Sequence, residues 1–208
     1  MKTHGLVVLG WGSLIPKPSH HPDGPLASFG VTPGLAENGG SWLADGPALP
    51  LELARLVTAP DEYPSWVITP GSTTSTVLYA PLSIRRDQSF DLDRALHSAV
   101  HGLAVREGVS DTSIGRWPST NAYECVDVIA AWAQSRAIAG VVWTALPPKW
   151  SGVERAPSEA EILGLLRGLV KRDAADYAEH YIRTTPAQTT SPFRTAIERE
   201  LGWTSVDQ

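Results

Sequence analysis

The sequence predicts an α+β fold, in which a small mixed β-sheet or barrel is flanked by helices. Three observations lead to this class: strand-like runs dominate up to Ala80, helical spacing dominates afterwards, and one late apolar run interrupts the helices. Strands followed by helices are typical of α+β proteins. With 208 residues, 42% hydrophobic and 19% charged, the chain has the size and composition of one globular domain.

The predicted strands are apolar or alternating runs of β-favouring residues bounded by Pro and Gly. They cover residues 6–9, 49–53, 66–69, 74–80 and 139–146. After the first strand, the segment from Pro16 to Gly40 is dense in Pro, Gly, Ser and His, which predicts a long ordered loop or lid. Loops of this length within compact domains are uncommon and are often functional.

The predicted helices follow from the spacing of apolar residues together with helix start and stop signals. They are 91–107 with Gly108 as the stop, 121–134 with Asn121 and Glu124 as a capping box, one opened by Ser158 with Glu161, 173–182, and one from Ser191-Pro192 to Gly202. We therefore expect residues 1–156 to form the sheet or barrel. Residues 157–208 are expected to form a helical C-terminal extension packed on the same domain.

Charge and cysteine content exclude several classes of function. The formal net charge of −5 and the pI near 5.6 argue against a nucleic-acid or anionic-membrane surface. A single cysteine, Cys125, excludes an internal disulfide framework and a Cys-rich zinc site. No stretch approaches the ~20 apolar residues of a spanning helix. We expect a soluble, cytoplasmic protein whose oligomeric state the sequence leaves open.

The first strand runs directly into Gly10-Trp11-Gly12-Ser13-Leu14. Two glycines around one large aromatic residue let the backbone turn sharply and approach a ligand closely. The amides of this turn could then point at a carboxylate or an oxyanion, as they do in anion nests. It is not a dinucleotide or phosphate fingerprint, because the third Gly and the Gly-Lys-Ser/Thr are missing. The alternative is that the segment is only a turn.

Glu107 is the leading candidate for a catalytic group. It ends a predicted helix, where the negative end of the macrodipole disfavours a carboxylate. If it is also buried, its pKa would rise toward the value that a general base needs at neutral pH. The alternative is that Arg106 and Glu107 form a solvated last turn before Gly108.

Two other residues have simpler interpretations. Alternation along the strand places Glu52 opposite Leu51 and Leu53, toward solvent or a lumen, where a pair with Arg55 is expected. Cys125 lies in an apolar stripe and is expected to be a buried structural residue.

His97 and His101 stand four residues apart on a predicted helix, so they share a face and could share a metal. The Glu of a zinc-protease motif is absent, since Ser98 follows His97, and no clear third ligand follows. His20 and His21 of the long loop are possible additional ligands. The alternative is an amphipathic helix without a metal, and we expect none.

The segment Leu9-Gly10-Trp11-Gly12-Ser13-Leu14 resembles the signature that opens the γ-glutamylcyclotransferase-like fold. The cation-transport-regulator-like branch has Gly-Tyr-Gly-Ser-Leu-Ile, which this chain matches at five of six positions, with Trp11 in place of the tyrosine. The catalytic glutamate of that superfamily lies downstream, before a glycine. Val105–Val109 contains the only Glu-Gly pair of this chain, at a comparable distance.

The resemblance implies a small mixed β-barrel and an enzyme that cleaves a γ-glutamyl amide and releases 5-oxoproline and a free amine. Glu107 would transfer the proton, and the amides of Gly10–Leu14 would hold the substrate carboxylate or the oxyanion. No metal or organic cofactor is needed. Two alternatives stay open: a non-catalytic protein of the same fold that binds a small metabolite, and a metal-dependent hydrolase built on His97 and His101.

Overall fold

A computed structural model describes residues 4–12, 31–33, 42–58, 62–84 and 91–206. The chain divides into two compact units. Within the described residues, the first unit comprises 4–10, 31–33, 42–47, 77–84 and 91–145. The second comprises 11–12, 48–58, 62–76 and 146–206.

The described part of the chain contains eight strands and five helices, and the single strand predicted over 74–80 is divided between two of them. The strands are β1 (His4–Gly10), β2 (Val31–Pro33), β3 (Ala48–Val57), β4 (Tyr63–Ile68), β5 (Thr74–Thr76), β6 (Leu78–Ile84), β7 (Ile114–Trp117) and β8 (Ile138–Thr144). The helices are α1 (Leu92–Glu107), α2 (Val126–Ser135), α3 (Glu159–Lys171), α4 (Asp176–Thr184) and α5 (Pro192–Leu201).

The first unit is built on a five-stranded sheet in the order β2-β6-β1-β8-β7. Strand β1 is central, antiparallel to β6 and parallel to β8. Its residues Leu6, Val7, Val8 and Leu9 are all at most 4% exposed. A continuous apolar run, rather than an alternating one, is what a strand covered on both faces requires.

Helix α1 begins and ends where the sequence predicts. The Asp91 carboxylate accepts a hydrogen bond from the Arg94 backbone N–H, and Gly108 ends the helix in the left-handed conformation, with φ of 64°. Leu96 of this helix packs against β8 at Gly140, where an added Cβ would lie 3.1 Å from the Leu96 Cδ2. The prediction of a helix over 91–107 is confirmed.

Helix α2 begins later than predicted. Its N-cap is Cys125, with φ of 61°, so the expected capping box of Asn121 and Glu124 is wrong. The side-chain amide Nδ2 of Asn121 instead donates to the Tyr123 hydroxyl at 3.1 Å, and the Tyr123 ring packs edge-on against Trp143. These contacts hold the segment before α2 in a non-helical conformation. Cys125 is half-buried rather than fully buried.

The second unit contains a three-stranded sheet in the order β4-β3-β5 together with α3, α4 and α5. The β3–β4 ladder is interrupted by a bulge between Leu53 and Arg55. Two of the three helix starts predicted here are confirmed: Ser158 and Glu161 form a capping box, and Ser191 caps α5. The helix predicted over 173–182 instead begins at Asp176, because Asp173 has a left-handed φ of 55°.

The α+β class is confirmed. Across the described residues the strands form two open sheets, and neither closes into a barrel. None of the helices in these ranges has the length and apolarity that a membrane span requires. The boundary expected at residue 156 stays a prediction.

Candidate functional site

The turn after β1 begins at Gly10, which lies directly against an aromatic ring. A Cβ added to Gly10 would lie 2.3 Å from Cζ3 and 2.4 Å from Cη2 of Trp42. Real Cβ atoms essentially never come so close, so only glycine fits here. The Trp42 indole N–H is buried and has no hydrogen-bond partner among the described residues.

Trp11 and Gly12 are held within the second unit. The Trp11 side chain is 3% exposed, and its indole N–H donates to the Trp66 carbonyl at 3.2 Å. Gly12 has φ of +64°, and a Cβ added to it would lie 2.5 Å from the Tyr181 hydroxyl oxygen. Ser13 and Leu14, the other two residues predicted for this site, lie outside the described residues.

Both glycines are therefore needed at this turn, for a reason that the sequence pattern only half predicts. In the structure the groups that lie against the two glycines are the side chains of Trp42 and Tyr181, and the approach of a ligand stays a prediction. The left-handed conformation of Gly12 is nevertheless one that turns successive N–H groups to one side, as an anion nest requires.

Glu107 is the last residue of α1, and most of its side chain is covered. The side chain is 17% exposed, and Oε1 lies 3.9 Å from Nε of Arg106. The chain then continues through a short 3₁₀ helix (Asp111–Ser113) into β7. The alternative of a solvated last turn therefore does not fit the Glu107 carboxylate.

The register of the first unit relates Glu107 to the end of β1. Strand β7 starts at Ile114, which pairs with Thr144 at the carboxyl end of β8. Since β1 and β8 are parallel, with Val8 beside Val142, this is the edge at which Gly10 ends β1. The segment after Glu107 thus enters the sheet at the edge where the predicted substrate turn begins.

Glu52 is a buried carboxylate that the alternation pattern misplaces. It is 4% exposed, not directed toward solvent. Its Oε1 accepts hydrogen bonds from Ser191 Oγ at 2.5 Å and from the Leu53 backbone N–H at 2.9 Å, and the Ser72 hydroxyl lies 3.4 Å from Oε2. Burial raises the pKa of Glu52, and the hydrogen bond from Ser191 opposes that rise. The expected partner, Arg55, instead donates to the Pro147 carbonyl at 3.0 Å.

A buried guanidinium, that of Arg194, lies on α5 one turn after Ser191. Arg194 is 3% exposed and donates to backbone carbonyls of the preceding loop: Pro186 at 2.8 Å, Thr189 at 2.6 Å and Thr185 at 3.0 Å. It also donates to the Ser205 hydroxyl. The local sequence does not separate this arginine from the exposed ones, because its i,i+4 partner Glu198 is one that an exposed arginine can also have and its other acceptors are mostly main-chain carbonyls.

His97 and His101, the proposed metal ligands that the structure describes, belong to no group of three possible ligands among the described residues. His97 and His101 are both exposed, and His101 Nδ1 lies 3.4 Å from Oδ1 of Asp111. No group of three or more His, Cys, Asp or Glu side chains that could hold a metal occurs in the described ranges. His20 and His21 lie outside those ranges.

Cys125 is not activated as a nucleophile. Burial raises the pKa of its thiol, and the neighbouring Glu124 carboxylate raises it further. A reactive cysteine needs a lowered pKa, so these surroundings fit a structural residue.

The chain matches no family model, no curated protein and no solved structure.

Proposed function

We propose that the protein is a γ-glutamylcyclotransferase-like enzyme that cleaves a γ-glutamyl amide. The observation that carries the proposal is the turn at the end of β1, where Gly12 takes the left-handed conformation immediately before Ser13. Backbone N–H groups presented by such a turn suit a carboxylate or a developing oxyanion. The proposal includes a γ-glutamylcyclotransferase-like fold over residues 1–156, the extension over 157–208 and the cytoplasmic location expected from the sequence.

In the proposed reaction the α-amino nitrogen of the substrate attacks its own γ-carbonyl carbon. A new carbon–nitrogen bond closes the five-membered lactam, and the bond to the leaving amine breaks. Glu107 takes the proton from the attacking nitrogen and returns it to the leaving amine, so no proton is consumed. The largely covered carboxylate of Glu107 supports this role, because partial exclusion of water favours proton transfer over solvation. The amides of Gly10–Leu14 hold the negative charge.

The test is product formation on a panel of γ-glutamyl amides, with release of 5-oxoproline and amine measured by mass spectrometry. Glu107→Gln is expected to lower kcat by about 100-fold or more, since general acid–base catalysis contributes roughly 10²–10⁴. Glu52→Gln is the matched control, because it alters the more deeply buried carboxylate and is expected to retain activity. Near-UV circular dichroism checks that both variants fold.

Each outcome is informative. Turnover that survives Glu107→Gln would keep the chemistry and remove Glu107 as the base. Turnover lost only in Glu52→Gln would transfer that role to the buried carboxylate. No product from any member of the panel would refute the enzyme.

The second candidate is a non-catalytic protein that binds a small metabolite. It is favoured by the side chains of Trp42 and Tyr181, which already occupy the space beside Gly10 and Gly12, and by the ion pair of Glu107 with Arg106. Saturable binding of 5-oxoproline or a γ-glutamyl amide, measured by calorimetry without turnover, would identify this function.

A further inference from the structure

Four side chains of the second unit form a hydrogen-bonded cluster around Gly12. All four are nearly buried: Trp11 is 3% exposed, Trp66 4%, Tyr181 8% and Thr185 1%. Aromatic rings with polar tips are commonly buried only where those tips find partners. The cluster does more than fill the core if its contacts fix the backbone conformation of Trp11 and Gly12.

The Tyr181 hydroxyl reaches two parts of the backbone. It accepts a hydrogen bond from the Trp66 backbone N–H at 3.2 Å, and it lies over Gly12, 2.5 Å from the position of an added Cβ. The Trp66 N–H is directed to Tyr181 beside the bulge at Leu53–Arg55, where the β3–β4 ladder is interrupted. Bulges often redirect groups in this way next to functional sites.

Trp66 extends the contact to Trp11. Its carbonyl accepts the Trp11 indole N–H at 3.2 Å, and its own indole N–H donates to Thr185 Oγ1 at 3.1 Å. The Thr185 hydroxyl in turn donates to the Tyr181 carbonyl at 3.0 Å. The contacts therefore close a ring from Tyr181 through Trp66 and Thr185 back to Tyr181, with Trp11 attached to Trp66.

The cluster is anchored from two sides. The Tyr63 ring packs against Tyr181 with centroids 4.8 Å apart, and Arg194 donates to the Thr185 carbonyl at 3.0 Å. Tyr181 therefore has little freedom to move away from Gly12. Helix α4, in the region where the sequence suggests only an extension, thus contacts the predicted substrate turn.

We infer that Tyr181 is a positioning residue for Trp11 and Gly12, holding these two residues in the conformation that presents their backbone amides to the substrate. The inference rests on the proposed function for its consequence in catalysis. The hydrogen bonds themselves are tested without any substrate.

The experiment compares Tyr181→Phe with Tyr177→Phe. Both tyrosines lie on α4, and the centroid of each ring lies 4.8 Å from that of Tyr63. Tyr177, however, is 42% exposed, and none of its atoms is among the three nearest to an added Cβ at Gly12. Amide exchange measured by NMR reports the Gly12 and Trp66 backbone N–H groups and the Trp11 indole N–H. Tyr181→Phe is expected to accelerate their exchange by about 5- to 30-fold, the effect of one or two kcal/mol, while slowly exchanging amides of β1 stay unchanged.

Kinetics give the second readout. In an active protein, Tyr181→Phe is expected to lower kcat/KM by about 10- to 100-fold, because small displacements of positioning groups have effects of that size. Tyr177→Phe is expected to retain the kcat and the KM of wild type.

The outcomes separate the inference from the function on which it rests. Unchanged exchange at Gly12 and Trp66 in Tyr181→Phe overturns the inference whether or not the protein is active. Faster local exchange in a protein without turnover supports the positioning role and refutes the enzyme. Faster exchange with unaltered kcat and KM overturns the inference, because the hydroxyl would then stabilise the turn without serving catalysis. Thr185→Val, which removes the acceptor of the Trp66 indole, provides the same measurement if Tyr181→Phe does not fold.

Discussion

Gly12→Ala tests the packing of the predicted substrate turn most directly. The new methyl group would lie 2.5 Å from Oη and 3.1 Å from Cζ of Tyr181, and 3.3 Å from Cδ1 of Trp66. The backbone at residue 12 would also have to keep a φ of +64° with a side chain attached. Two separate penalties therefore act on one substitution.

Their sizes follow from the structure. The left-handed conformation costs a non-glycine residue about 1–2 kcal/mol. Overlap with a buried, hydrogen-bonded phenol adds about 1–3 kcal/mol, the usual cost of overpacking. Gly202 is the matched control in the same unit, because its φ is +72° and an added Cβ would meet nothing within 4 Å. We expect Gly12→Ala to lose about 2–5 kcal/mol and Gly202→Ala only about 1–2 kcal/mol.

Thermal unfolding measures the difference. For a chain of this size each kcal/mol lowers Tm by about 2–4 °C, so Gly12→Ala should unfold several degrees below Gly202→Ala. Adding Tyr181→Phe to Gly12→Ala removes the nearest atom and should recover part of the loss, which a double-mutant cycle measures. Equal Tm values for the two alanine variants, or no coupling in the cycle, would refute the close contact between Tyr181 and Gly12.

Three further predictions concern other charged or titratable groups. Arg194→Met should cost about 2–6 kcal/mol, because it leaves the buried carbonyls of Thr185 and Thr189 without donors at about 1–3 kcal/mol each, whereas Arg199→Met removes only exposed ion pairs and should unfold near wild type in urea. Burial raises the pKa of Glu52 above its ordinary value of 4.5, so its contribution to the stability of the fold is present below that pH and is lost as the pH rises through the folded pKa. Wild type should therefore lose stability relative to Glu52→Gln from about pH 4 toward neutrality. Parallel pH profiles of the two proteins would contradict this. The double substitution of His97 and His101 by Ala should leave zinc binding, measured by calorimetry, unchanged, and a lost stoichiometric site would contradict it.

Helix ends could be predicted from the sequence because the interactions that form them are local. Ser158 caps α3 together with Glu161, which is only three residues away, and Gly108 ends α1 through its own backbone conformation. The start of α2 fails for the opposite reason. Tyr123 packs against Trp143, twenty positions away, and this contact overrides the local capping signal of Asn121.

The candidate site could be predicted only in part. The pattern Gly10-Trp11-Gly12 indicates that these glycines have little space around them, but the rings of Trp42 and Tyr181 that lie against them come from distant segments. Glu52 shows the same limit, because alternation along β3 identifies its face but not what covers it. The covering group is Ser191, 139 positions later in the chain.

The central place of β1 has a consequence for synthesis on the ribosome. Its parallel neighbour starts at Ile138, so the first strand cannot complete its pairing until much of the chain has been translated. At roughly 5–20 residues per second, that interval is on the order of ten seconds. During it, the apolar run Leu6–Leu9 lacks one of its two neighbours, and pairing across such a sequence separation is intrinsically slow. We expect the nascent chain to depend on chaperone protection of this strand until β8 has emerged.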